Sequence, residues 1–184
     1  MAISRTGSAG NINTTTDASS QSVTVPSDAD FMVMGISGVT GTANSFSGGT
    51  YSIGGSAFTV ATSPTGDSLT ADFMGQLFYC VAPPTGSKTL AWDWLNTITG
   101  GVIIAYAFYK GVHQTTPTRD SDGVQAAGPS FTTKSMTAVS GDWVIGFSWS
   151  NDAVQPDFTW GASATEFLDV GNGGDTTVSL AEGQ

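Results

Sequence analysis

The stretch Gly100–Val112, GGVIIAYAFYKGV, decides the fold of this chain. It is the longest β-rich apolar run, uncharged from Gly100 to Tyr109. Val102, Ile104, Tyr106 and Phe108 fall on one face of a period-2 strand, and Ile103, Ala105, Ala107 and Tyr109 fall on the other. Neither face is polar. The larger side chains are expected in a core. The face with two alanines is flatter, suited to lie under a second layer, a loop or another subunit. A helix is the rival reading, but β-branched and aromatic content between flanking glycines favours a strand.

The segment before it agrees. Thr89–Leu95 alternates, with Leu90, Trp92 and Trp94 opposite Ala91, Asp93 and Leu95. The connection Asn96–Gly101, NTITGG, is short, polar and glycine-ended, which predicts a hairpin. Asp142–Ser150, DWVIGFSWS, carries the clearest alternation, with Trp143, Ile145, Phe147 and Trp149 on one face. Phe31–Gly38 and Met74–Val81 read as two further strands with two apolar faces. Strands are also expected at Ser20–Pro26, Thr50–Ile53, Ser56–Ala61, Ser130–Ala138, from Phe158 toward Phe167, and weakly at Thr176–Leu180. Turn chemistry separates them, as at Gly54-Gly55 and Ser63–Asp67. About ten short strands and no significant helix predict an all-β, two-sheet β-sandwich of jelly-roll or Greek-key type, as a single domain over residues 20–184.

Residues 1–19 are rich in Ser, Thr, Asn and Gly. They read as a flexible tail, or as a docking arm whose Ile3, Arg5, Asn11 and Ile12 would meet a neighbour. No apolar strand follows Leu180, so a longer natural chain or a partner is expected to complete the sandwich.

Composition narrows the function. Charged residues are only 11% of the chain while aromatics are 10%, which fits a folded β protein with hydroxyl-rich outer faces. Net charge is −10, and the five basic residues are scattered. Nucleic acid needs a basic patch, so no nucleic-acid partner is expected, and no anionic membrane surface either. No apolar run reaches the ~20 residues of a membrane span, and no secretory signal is visible.

Catalytic signals are sparse. Cys80 has no disulfide partner within the chain and lies in an apolar run, as a small buried hydrophobe does. His113 is the only histidine, which excludes a multi-histidine metal site within one chain. No G-x-S-x-G motif is present. Asp120-Ser121-Asp122-Gly123 starts like a calcium loop, but Phe131 stands where the twelfth, acidic ligand would be. Asp120 and Asp122 therefore read first as a turn and second as a weak metal site. Most aspartates sit at turns, so no paired carboxylates across a cleft are evident. The chain reads as a non-enzyme without a cofactor. Trp149, Phe158 and Trp160 flank the loop Asn151–Pro156 and form the alternative, a sugar-stacking rim, against plain core packing.

Four segments carry a resemblance. They are SVTVPSDADFMVMGISG (Ser22–Gly38), LFYCVAPPTGSKTLAWDW (Leu77–Trp94), AYAFYKGVHQTTP (Ala105–Pro117) and SGDWVIGFSW (Ser140–Trp149). Together they resemble β-sandwich structural proteins of tailed bacteriophages over about Ser20 to Leu180. The shared pieces are turns and strand starts, and none is a catalytic motif. The resemblance implies a virion protein made in the host bacterial cytoplasm, consistent with the lack of disulfides. The acidic balance disfavours the DNA-facing interior of a head. The expected role is a capsid decoration (cement) protein on the capsid exterior, a homo-oligomer such as a trimer, bound to the major capsid protein. The Ile103, Ala105, Ala107 and Tyr109 face would be its oligomer surface. The alternative is a carbohydrate-binding adhesin or tail-fibre module.

Overall fold

The computed structural model describes residues 2–40, 46, 48–61, 65–66, 73–94, 98–121, 137–150, 160, 163–172 and 176–184. Among them are thirteen strands and no helix. They form three antiparallel sheets.

The first sheet runs in the order β1 (Ser4–Thr14), β10 (Ile98–Lys110), β3 (Phe31–Thr40), β8 (Phe73–Val81), and then the short β6 (Thr59–Val60); β7 (Thr65–Gly66) also pairs with β8. The second runs β2 (Ala18–Val25), β9 (Gly86–Asp93), β4 (Thr50–Ile53), β5 (Ser56–Ala57). Along the chain the strands cross repeatedly between these two sheets, with β4 and β5 together in the second and β6 to β8 together in the first. The pair β10 and β9 is flanked on one side by β1 and β2 and on the other by β3 and β4. This connectivity is that of a jelly roll, as the strand pattern predicts.

The two sheets close on one apolar core. Val102, Ile104 and Phe108 of β10 meet Leu90, Trp92 and Trp94, with Met32, Met34 and Ile36 of β3 and Phe78 and Cys80 of β8 filling the layer. The expected hairpin is not there: β9 pairs with β2 and β4, while β10 pairs with β1 and β3. The reason is packing. A hairpin would set Trp92 beside Ile104 in one sheet, whereas opposite sheets let both bury against each other. The indole N–H groups of Trp92 and Trp94 both donate to the Thr16 carbonyl, at 3.2 and 3.0 Å, and pin the turn between β1 and β2.

The third sheet, in the order β11 (Val144–Ser150), β13 (Thr177–Gly183), β12 (Ala164–Gly171), covers the other face of the first. Val178 and Leu180 of β13 are fully buried against Ile103 and Ala105. Burying each contributes on the order of 1.5–3 kcal/mol. Phe147 and Trp149 of β11 stack on one another at 5.6 Å and lie on Gly35 and Gly75, where a Cβ would collide with the rings. The small residues of the first sheet thus form a shallow bed for the aromatics of the third. The first sheet becomes the middle of three layers, which is why its strands are apolar on both faces.

Two expectations are corrected here. Residues 4–14 are not a loose arm. They form the edge strand β1, paired with β10 from Ser4 opposite Lys110 to Thr14 opposite Val102, with a register shift between Thr6 and Gly10. Ile12 is 4% exposed within the core, and Ile3 packs against the layer beneath the third sheet. An edge strand needs few apolar residues, because its backbone pairs on one side and meets water on the other. The flat face is not a free oligomer surface: Ile103, Ala105, Ala107 and Tyr109 are 0–1% exposed under the third sheet. The last strand, read as weak, is the central strand of that sheet.

Candidate functional site

Four polar groupings stand out among the described residues. The first lies between layers. The buried Tyr109 hydroxyl donates to Glu182 Oε2 at 2.9 Å, while Arg5 Nε lies 3.6 Å from Glu182 Oε1. The Arg5 guanidinium also sits 4.3 Å above the Phe167 ring, and Trp143 meets Tyr109 edge-on at 6.0 Å. Burial, and then the Glu182 charge, push the Tyr109 phenol well above its ordinary range, so it stays a donor. β1, β10, β12 and β13 are tied together here.

The second grouping holds one end of the first sheet. Asp28 accepts from Lys110 Nζ at 2.7 Å and from the Thr6 hydroxyl at 2.6 Å. Those bonds, Lys110 foremost, hold its carboxyl below the usual range. Asp30 accepts from the Gly111 and Val112 amides at 2.7 and 3.2 Å.

The third is the irregular segment after β10. Arg119 grips Asp142 through Nε at 2.7 Å and Nη2 at 3.4 Å, and Asp142 Oδ2 also accepts the Val139 amide at 3.0 Å. Asp120 accepts the Thr137 amide at 2.7 Å on one oxygen and the Ser121 amide at 2.9 Å on the other. Both carboxylates are held below the ordinary range, Asp142 chiefly by Arg119 and Asp120 chiefly by the Thr137 N–H. His113 Nδ1 accepts the Thr116 amide at 3.0 Å. These bonds fasten residues 113–121 to residues 137–142 as turn acceptors do.

The fourth lies on the outer face of the third sheet. Trp160 Nε1 donates to Glu166 Oε2 at 3.0 Å and to the Ser179 hydroxyl at 2.9 Å, and Ser179 donates to the same Glu166 oxygen at 2.9 Å. The Trp160 ring lies over Gly146, where a Cβ would strike it. Ser148 stands directly across from Ser179 and is buried, and among the described residues its hydroxyl has no hydrogen-bond partner.

The sequence-derived candidates separate accordingly. Trp149 faces inward against Phe147 and the first sheet, so it is no part of an outer sugar rim. Its alternation with Ile145 and Phe147 carried that answer. Trp160 is on the outer face and half-buried. Phe158 and Asp122 lie outside the described residues, as do residues 130–136 of the strand expected at Ser130–Ala138; Thr137 and Ala138 are in no strand. Arg5 and Ile12, read as docking residues, serve the interior; Asn11 is in the edge strand and contacts Asn13 at 3.5 Å. Glu182 and Glu166 gave no signal in sequence beyond being the only two glutamates.

Chemically, these arrangements hold the layers together. Among the described residues no three His, Cys, Asp or Glu side chains come together as a metal site would need. Cys80 is 2% exposed, and burial pushes its thiol up, away from the reactive thiolate. No family model, curated protein or solved structure matches this chain.

Proposed function

We propose that this chain is a non-enzymatic virion structural protein that decorates the outer surface of a bacteriophage head and stabilises the shell by bridging coat subunits. The observation that carries the reading is the jelly-roll framework, which is common among capsid proteins, joined to the sequence resemblance; the warrant is analogy of fold. The net charge of −10 supports an exterior position, away from packaged phosphates. Stabilisation would follow from binding one state of the shell in preference to another.

The docking surface cannot be the arm or the flat face, which are both used inside the chain. The outward face of the second sheet is the better surface. Ser20, Ser22 and Thr24 of β2 lie beside Ser87 and Thr89 of β9, with Thr50 of β4 beyond, all exposed. Ser22 and Ser87 share a hydroxyl hydrogen bond at 3.0 Å. Such a face offers hydrogen bonds to coat subunits, and it carries a negative charge at the exposed Asp93, opposite Thr50.

The second reading is a glycan-binding adhesin. It is favoured by Trp160 beside the exposed Glu166, an aromatic ring next to a carboxylate that suits sugar hydroxyls.

The test is copy number per particle, by quantitative mass spectrometry of purified virions against the major coat protein. Hundreds of copies are expected for a shell decoration protein. A few dozen or fewer would move the protein to the tail and put glycan binding first. None would overturn the virion reading.

A further inference from the structure

Sheet edges are templates for pairing with another chain, and folded proteins blunt them. Most edges in this fold are blunted. β1 breaks register between Thr6 and Gly10 and carries Arg5. β5, β6 and β7 are two residues each. β12 breaks register between Glu166 and Leu168 and carries Glu166 and Asp169.

Two edges have none of these devices, β11 and β2; β11 is exposed only at Val144, so β2 is the open one. Its sequence, ASSQSVTV, holds no charge and no proline. Its pairing with β9 runs unbroken from Ala18 opposite Asp93 to Val25 opposite Gly86. Among the described residues no strand pairs with its other side. Ala18 to Ser22 are exposed at every position, on both faces. A bare edge of this length is a place where a second strand can add.

We propose that β2 is a homodimer interface, pairing antiparallel with β2 of a second copy across a twofold axis near Gln21. Charge chooses the partner. A chain of net charge −10 repels its own copies over most of its surface, so self-association needs an uncharged strip, and β2 is one. The strand is also self-complementary. About an axis at Gln21, Ser20 faces Ser22 of the partner, Ser19 faces Val23 and Ala18 faces Thr24, and cross-strand hydroxyl pairs stabilise such a ladder. The product is one continuous sheet of eight strands, with the two hydroxyl faces joined. This inference does not depend on the virion reading.

The test is the mass of the full chain at tens of micromolar by analytical ultracentrifugation, with melting as the check on folding. The wild type is expected as a dimer. Ser20→Glu with Ser22→Glu sets like charges across the axis and is expected to halve the mass with melting of the monomer fold retained, since both positions are exposed. Thr50→Glu, on the same sheet but away from the edge, is the control and should leave the dimer intact. Gln21→Cys should form a disulfide-linked dimer on mild oxidation, Cys80 being buried. A monomeric wild type, a dimer that survives the paired glutamates, a control that dissociates, or a Gln21→Cys protein that does not cross-link would each overturn the proposal.

Discussion

Gly75 and Trp149 set the tightest constraint at the scale of single residues. The indole lies where a Cβ on Gly75 would sit. Gly75→Ala should therefore shift either the ring or the strand, at a cost of about 1–3 kcal/mol, the usual range for overpacking. Urea unfolding followed by far-ultraviolet circular dichroism measures it, and an unchanged midpoint would count against the close approach. The aspartates give a second expectation. Asp28, Asp120 and Asp142 each have a folded pKa held below the ordinary value by hydrogen bonds. A depressed pKa adds stability above the unfolded value of about 3.9, which is lost as pH falls through the folded value. Melting temperature should therefore drop below about pH 4, and the drop should be shallower in Asp28→Asn/Asp142→Asn. Equal pH dependence in the two proteins would place the acid sensitivity elsewhere. In sequence, Asp120 was readable as a turn residue, because aspartate beside Ser and Gly caps local amides. The partners Thr137 and Arg119–Asp142 were not readable, since pairing across the fold leaves no local trace.

The lesson at the scale of elements comes from β1. Its alternation is too weak to mark a strand, and only Ile12 reaches the core. Ile12→Ala should cost about 2–5 kcal/mol by leaving a cavity opposite Ile104. Removing residues 1–14 should do more, by baring the edge of β10, and is expected to give insoluble or unfolded protein; a truncated chain that melts like the whole would show that β1 is dispensable. β11 was legible because its large side chains alternate with small ones in a period of two, and β10 because a β-branched and aromatic run between glycines suits a strand buried on both faces. The hairpin between β9 and β10 was misread because a short glycine-ended connection serves equally to cross from one sheet to the facing one. Only the partner strands distinguish the two cases, and these are remote in sequence.

For the whole molecule, the first sheet lies between two others. The signal for this was present in β3, β8 and β10, each apolar on both faces, and the sequence alone left open whether a layer, a loop or a second subunit supplied the cover. The answer lies in β11 and β13, whose Phe147, Trp149, Val178 and Leu180 fit the bed left by Gly35, Gly75 and Ala105. Layers covered on both sides open last. Hydrogen exchange should therefore be slowest at the amides of Ile103, Ala105 and Val33, and faster throughout β12; equal rates in the two regions would mean the layers open together. The placement of β1 also has a consequence for synthesis. Its partner β10 ends at Lys110, so the ribosome must add nearly a hundred residues after Thr14 before the pair is complete. At about 5–20 residues per second, that is a wait of roughly 5–20 s. A strongly apolar first strand would spend that interval seeking the wrong neighbours. The hydroxyls, amides and glycines of SRTGSAGNINT let it remain in water until its place is ready.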